Sequence, residues 1–264
     1  MRKLSQKRLF LLDMDGTLYL GDRVFDGAAD FLRHIRAIGG RYLYLTNNSS
    51  RGVEGYLEKL RRLGLCARRE DFLTSVDAAI ACLQAEYPGR RCYVMGTESF
   101  CRQLQEAGLA VCTAPSDDIG LVLCGYDTEL TYQKLRDTCL LLRRGLPWLA
   151  TNPDWVCPTE EGPLPDCGSM CQMLSIATGR QPRYLGKPQP EMVRLALEKT
   201  GLAPEEAVLI GDRVYTDIAC AVNAGIDSVF VLSGEGTAAD TEKYGIRPTW
   251  TYDNIAALLR DMKE

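Results

Sequence analysis

Short, unbroken apolar runs alternate with amphipathic stretches along much of the chain. LFLLD (9–13), RYLYLTNN (41–48), FLTS (72–75), AVLIGD (207–212) and SVFVLSG (228–234) are short, mainly apolar runs and read as buried strands. Between them, a stripe of Ala28, Phe31, Leu32 and Ile35 predicts a helix from about Asp26 to the stop at Gly39-Gly40. VEGYLEKLRRLG predicts a helix closing at Gly64, and PEMVRLALEKTG and IACAVNAG predict two more. Continuous apolar strands separated by helices indicate an α/β fold, a parallel sheet covered on both faces. Ligands of such sheets sit beyond the carboxyl ends of the strands, and Asp13, Thr46 and Asp212 fall at those ends.

Residues 81–181 repeat the alternation. RCYVMG, IGLVLCGYD and LPWLATNPD predict strands; ESFCRQLQEAG, TYQKLRDTCLLLRRG and SMCQMLSIATG predict helices. Asp13 and Thr46 stand 33 residues apart, and Lys187 and Asp212 stand 25 apart, each about one strand-helix unit. Thr46 to Lys187 is 141 residues, so roughly 100 of them must lie outside the sheet order. The segment 81–181 is therefore expected to be a second α/β domain inserted into a core made of 1–80 and 182–264.

Composition narrows the chemistry. The 264 residues carry a net charge of −4, and 81–181 alone holds 8 Lys/Arg against 12 Asp/Glu, so no nucleic-acid partner is expected. No apolar run approaches the roughly 18 residues of a membrane span. The basic start of the chain leads into an apolar stretch that breaks at Asp13, which does not suit a secretory signal. Eleven cysteines, an odd number with no CxxC, are expected to be small core residues in a reducing cytoplasm. Cys167 and Cys171 have no nearby histidine to complete a zinc site. The single histidine, His34, lies off its helix's apolar stripe and is expected at the surface. With one histidine, catalysis falls to carboxylates, lysine, hydroxyls, backbone and a hard metal ion.

Candidate residues for that chemistry cluster at the strand ends. Asp13-x-Asp15 is no EF-hand loop, because Leu18 and Val24 occupy positions that need glycine and an acid. Walker and GxGxxG loops are missing. TNNSS (46–50) offers hydroxyls and amides suited to phosphate oxygens, and Lys187 is a compact positive charge before a helix. GDRVYTD places Asp212 at a strand end and Asp217 five residues on. Four carboxylates at one sheet edge would repel one another without a cation, and an oxygen-only donor set favours Mg²⁺.

DMDGT, Thr46, Lys187 and GDRVYTD, in this order, resemble the four motifs of the haloacid dehalogenase (HAD) superfamily. YLTNNSSR, TNPD, RYLGKPQPEM and GDRVYTDI look like its NagD-like, p-nitrophenyl-phosphatase branch, which carries a large C2-type (IIA) cap. The resemblance spans nearly the whole chain. It implies a Rossmann-like parallel-sheet core with an inserted α/β cap, and Mg²⁺-dependent hydrolysis of small phosphate monoesters through an aspartyl-phosphate. The substrate is then a small phosphorylated metabolite, with p-nitrophenyl phosphate serving in vitro.

The resemblance also implies roles. Asp13 is the nucleophile and a metal ligand. Asp15 protonates the leaving oxygen and then deprotonates water, while its backbone carbonyl ligates Mg²⁺. Asp212 is a further ligand, and Asp217 supports the metal through water. Thr46 and the Asn47 amide hold phosphoryl oxygens, and Lys187 bridges the phosphate and Asp13. Dehalogenases of this fold lack an acid at the second position, so Asp15 favours an oxygen leaving group. Phosphoryl transfer to another acceptor, as in a phosphomutase, and a non-catalytic phosphate-binding module stay open as alternatives, as does a homo-oligomer.

The family's specificity loop corresponds to TNPDWVCPTEEGPLPDCGS (151–169), where Asp154, Trp155 and Cys157 are the candidate contacts. Cys157 stands where the family member acting on pyridoxal phosphate has a histidine. Asp166 replaces a glycine of the family's PGxGS, a costly choice if that position needs positive φ. The loop holds Asp154, Glu160, Glu161 and Asp166 without a Lys or Arg. Acids facing inward would favour monophosphates with neutral or cationic leaving groups, such as sugar or polyol phosphates, over nucleoside di- and triphosphates.

Overall fold

A computed structural model describes residues 3–159 and 162–264, so Glu160 and Glu161 of the predicted specificity loop lie outside the described residues. The chain divides into two compact units, one formed by Met1–Thr46, Val53–Leu73 and Lys187–Glu264, the other by Asn47–Gly52 and Thr74–Gly186.

Among the described residues, the sheet of the first unit has six strands. Their order is Trp250–Tyr252, Asp227–Val231, Ala207–Gly211, Leu9–Leu12, Arg41–Thr46, Phe72–Thr74. Leu9–Leu12 is central, fully buried, and parallel to both neighbours, with Leu12 opposite Ile210 on one side and Tyr44 on the other. Strand order therefore switches direction at Leu9–Leu12, the place where doubly wound sheets open a crevice beyond their strand ends. Helix Ala28–Ala37 buries the predicted stripe of Ala28, Phe31, Leu32 and Ile35, with Phe31 edge-on to Phe10 of the central strand at 6.1 Å. His34 departs from expectation. It is half-buried, and its Nε2 is enclosed without a hydrogen-bond partner among the described residues. After Asp212 the chain makes a π-helical turn, Val214–Ile218, that the sequence pattern did not reveal, and the helix predicted over IACAVNAG then runs from Ala219 to Ala224. Val214 and Ile218 bury against Phe230, while the amides of Asp217 and Ile218 both donate to Arg213 O. Such turns recur at functional sites because they re-aim one side chain without ending the helix.

The second unit has a five-stranded parallel sheet among the described residues. Its order is Arg183–Tyr184, Trp148–Ala150, Ile119–Cys124, Arg91–Met95, Val111–Cys112. The three longest strands are those read from the sequence. Helices Ser75–Glu86, Glu98–Glu106, Tyr132–Arg143 and Cys167–Thr178 accompany them. Tyr93, Val122, Trp148 and Leu174 pack in its core with three buried free thiols, Cys124, Cys167 and Cys171. The Trp148 indole N–H donates to Cys124 Sγ at 3.3 Å. Among the described residues, no helix is long and apolar enough to cross a membrane.

Candidate active site

Parallel register brings three strand ends of the first unit to one edge of the sheet. Asp13 follows Leu12, and its amide continues the ladder by donating to Ile210 O at 2.9 Å. The chain then turns sharply. Gly16 adopts φ +83°, a conformation glycine takes without strain, and Leu18 N donates back to Met14 O at 2.9 Å. This turn holds Asp13 and Asp15 at the strand tip. Thr46 ends the neighbouring strand, its Oγ1 3.4 Å from Tyr56 OH. Asp212 follows Gly211 at the end of the strand on the other side.

Lys187 binds this edge together. Its Nζ lies 2.6 Å from Asp13 Oδ1 and 2.6 Å from Asp217 Oδ1, and 3.3 Å from Leu45 O. The other Asp217 oxygen accepts the Arg213 amide at 3.1 Å. Asp217, carried by the π-helical turn, is as buried as the core. Gly211 makes room for it, since a Cβ there would fall 2.4 Å from Asp217 Cγ.

Burial and crowding set the electrostatics. Burial pushes the Asp13 carboxyl well above its usual range; Lys187 opposes this, and the Asp217 and Asp212 carboxylates add to it. Asp212 is pushed up to about 7, first by burial and then by Asp217. Burial disfavours the Lys187 ammonium, but the charges of Asp13 and Asp217 outweigh it and hold the group above its ordinary value. One lysine thus faces three crowded carboxylates.

These residues fit a hard cation. One oxygen from each of Asp13, Asp212 and Asp217 lies within 4.8 Å of the others, the only such group of metal-ligating side chains among the described residues. Asp212 is 2 % exposed, and its Oδ1 has no hydrogen-bond partner among the described residues. A buried carboxylate oxygen left open beside two further carboxylates is costly unless an ion takes it. All-oxygen donors suit Mg²⁺ or Ca²⁺ over softer metals.

The Asp15 carboxylate is outside this trio. Its Oδ1 lies 3.7 Å from Lys59 Nζ, and that ammonium sits 4.2 Å above the buried Tyr19 ring. Nothing in the sequence singled out Lys59, one of several cations on an amphipathic helix. Ser233 and Gly234 were also missed, although the same strand-end rule would have found them just beyond Asp227–Val231.

The remaining sequence candidates belong to the second unit. Asn47 donates from its side-chain amide to Asp154 Oδ2 at 2.7 Å. Asp154 is buried and also accepts from Asn152 at 2.8 Å. Asp166 is buried too; it caps helix Cys167–Thr178 through the Cys167 amide and accepts from Asn152 at 3.0 Å. Its φ is −100°, so the strain expected of an aspartate in place of glycine does not arise. Both acids are thus engaged in local structure, which removes half of the acidic set invoked for substrate charge preference. Trp155 is 53 % exposed. Cys157 is half-buried in the short ribbon that pairs Val156–Cys157 with Leu164–Pro165.

Comparison with known proteins agrees with this geometry. Residues 10–110 match the family model described as haloacid dehalogenase-like hydrolase, and residues 184–258 match a second, HAD-hydrolase-like model. An acid sugar phosphatase of Staphylococcus aureus is 33% identical over 261 residues, 99% of this chain and 100% of the relative. The crystal structure of a 4-nitrophenylphosphatase from Thermotoga maritima has a TM-score of 0.91 at 36% identity, covering 97% of this chain and 98% of that one. A glycerol phosphate phosphatase from Mycobacterium tuberculosis, solved in complex with magnesium, has a TM-score of 0.91 at 33% identity and covers 100% of this chain and 80% of that one. The chain belongs to the haloacid dehalogenase-like hydrolases, in their NagD and p-nitrophenyl phosphatase branch.

Proposed function

We propose that this chain, a phosphatase of small phosphate esters, works by transient transfer of the phosphoryl group to Asp13, with Mg²⁺ as its cation and residues 81–181 as its cap domain. The observation that carries this reading is the pairing of Lys187 with Asp13 and Asp217 beside an open oxygen of Asp212. Such an arrangement prepares a carboxylate to meet a phosphate dianion.

In the first step an oxygen of Asp13 attacks phosphorus, and the bond from phosphorus to the leaving oxygen breaks. Asp15, on the same turn, gives its proton to the departing oxygen and becomes a carboxylate. In the second step Asp15 takes a proton from water, whose oxygen attacks phosphorus and releases Asp13 and inorganic phosphate. Lys187 stays protonated throughout and offsets charge on Asp13 and the phosphoryl oxygens. The Thr46 hydroxyl, at the neighbouring strand end, donates to a phosphoryl oxygen. Asp13, Asp212 and the Asp15 carbonyl would hold Mg²⁺, supported by Asp217, and the ion when bound would supply positive charge that lets nucleophile and phosphate approach.

For the substrate we infer a sugar or polyol phosphate. Two relatives support this: one is an acid sugar phosphatase and another a glycerol phosphate phosphatase. The acids of the 151–169 loop lend it little, since Asp154 and Asp166 are held by their own partners. The test is release of inorganic phosphate from p-nitrophenyl phosphate and from a panel of sugar, polyol and nucleoside phosphates, by wild type and by Asp13→Asn. The reading requires turnover that Asp13→Asn lacks. Near-normal turnover by that variant would overturn the covalent route, and phosphoryl groups passing to a second metabolite in place of water would make the chain a transferase.

A further inference from the structure

The segment after strand Asp227–Val231 wraps around Asp212. The Glu235 amide donates to Asp212 Oδ2 at 2.7 Å, and the Gly236 amide donates to the Asp212 backbone oxygen at 3.1 Å. The same Oδ2 lies between two backbones that carry no side chain. A Cβ on Gly234 would sit 2.0 Å from it, and a Cβ on Gly16 would sit 2.3 Å from it. The segment also grips the turn that bears Asp13 and Asp15, because the Ser233 hydroxyl donates to Gly16 O at 2.8 Å.

These contacts are asymmetric. Oδ2 is fastened, while Oδ1 of the same buried carboxylate has no hydrogen-bond partner among the described residues. Gly16 needs its positive φ in any case. Gly234 does not: it is absent from the glycines with positive φ, so its backbone would accept alanine. What forbids a side chain at 234 is the approach to Asp212. A requirement of that kind concerns where the carboxylate points.

We propose that Ser233 and Gly234 are positioning residues of the cation site: they lock Asp212 with Oδ2 bound to the Glu235 amide so that Oδ1 is the oxygen presented to the ion, and they tie that oxygen's position to the nucleophile turn. This rests on the metal reading above. Carboxylate ligands are oriented by the hydrogen bonds of their other oxygen, and losing such an orienting contact costs about 10- to 100-fold in metal affinity.

The experiment is Mg²⁺ binding by calorimetry to the metal-free protein, with no substrate present, for wild type, Gly234→Ala, Ser233→Ala and Ser233→Thr. Circular dichroism and melting of the metal-free proteins report folding. Gly234→Ala is expected to weaken Mg²⁺ at least about 10-fold. Ser233→Ala should weaken it about fivefold, the worth of one net hydrogen bond, and Ser233→Thr, which keeps the hydroxyl, should restore wild-type affinity. At saturating Mg²⁺ the KM for p-nitrophenyl phosphate should stay unchanged, which a general loosening of the site would not allow. If Gly234→Ala fails to fold, the Ser233 pair decides. Wild-type binding that both Gly234→Ala and Ser233→Ala leave within twofold overturns the inference alone. No Mg²⁺ binding by wild type overturns the metal reading, and this inference with it.

Discussion

Lys187 and Asp217 form a buried ion pair, Nζ to Oδ1 at 2.6 Å, with each side chain no more than 3 % exposed, and the same nitrogen also binds Asp13. Both carboxylates depend on that one cation. Breaking a buried pair by removing one partner leaves uncompensated charge and costs about 3–5 kcal/mol. Lys187→Met should therefore lower the melting temperature of the metal-free protein by on the order of 10 °C, besides abolishing turnover. Calorimetric melting in EDTA checks the first outcome. A variant as stable as wild type would show that the carboxylates do not need the lysine.

The contact between Lys59 and Asp15 bears on proton transfer. General acid-base groups contribute about 10²- to 10⁴-fold, chiefly when the leaving group needs a proton. Nitrophenolate leaves without one; an alkoxide does not. Asp15→Asn should thus lose far more on an alkyl phosphate than on p-nitrophenyl phosphate in the burst that reports the first step. Lys59→Met, which removes the cation that favours the ionised form of Asp15, should leave more of the acid form and shift the ratio of the two substrates the opposite way by a smaller factor, with Lys59→Arg retaining the wild-type ratio. Equal losses on both substrates would assign Lys59 to helix packing.

Asp13, Asp212 and Asp217 crowd together, and Lys187 bonds to Asp13 and Asp217 but not to Asp212, so a divalent ion should stabilise the fold as well as activate it. Binding confined to the native state adds about 2.7 kcal/mol at a concentration 100 times the dissociation constant. Millimolar Mg²⁺ should raise the melting temperature of the EDTA-treated protein by several degrees, and EDTA should abolish phosphate release. Asp212→Asn should lose both responses, since an amide has no charge to offer. An enzyme that turns over fully in excess chelator, with metal content verified, would defeat the metal reading.

Five of the six strands of the central sheet were legible because each is a largely buried apolar run; Trp250–Tyr252, half-buried at both ends and exposed at Thr251, was not. That made Asp13, Thr46 and Asp212 visible as strand-end residues. Helix Ser75–Glu86 escaped because its face is wide and made of small residues, with Val76, Ala78, Ala79 and Cys82 all buried and no narrow stripe. Strands Val111–Cys112 and Arg183–Tyr184 are two residues long, too short for any period to show. The π-helical turn that carries Asp217 left no mark on the helical pattern. Nor could spacing reveal that Asp154 and Asp166 turn toward Asn47 and Asn152, because side-chain direction in a loop depends on partners far along the chain.

Asp166 offers a test that separates structure from specificity. Its carboxylate caps helix Cys167–Thr178 and binds Asn152, which in turn binds Asp154. Losing an N-cap acid to alanine costs about 0.5–2 kcal/mol, and leaving the buried Asn152 amide short of a partner adds about 1–3 kcal/mol. Asp166→Ala should therefore destabilise the protein measurably. Asp166→Asn, which keeps an oxygen for the Cys167 amide, should be milder. With φ at −100°, Asp166→Gly gains nothing from conformational freedom and should be no more stable than wild type. None of the three should alter the ratio of kcat/KM between a sugar monophosphate and a nucleoside triphosphate, since the buried carboxylate is committed to its own loop. A shift of that ratio toward triphosphates in Asp166→Asn, where charge is lost and shape kept, would show instead that its charge is felt by the substrate.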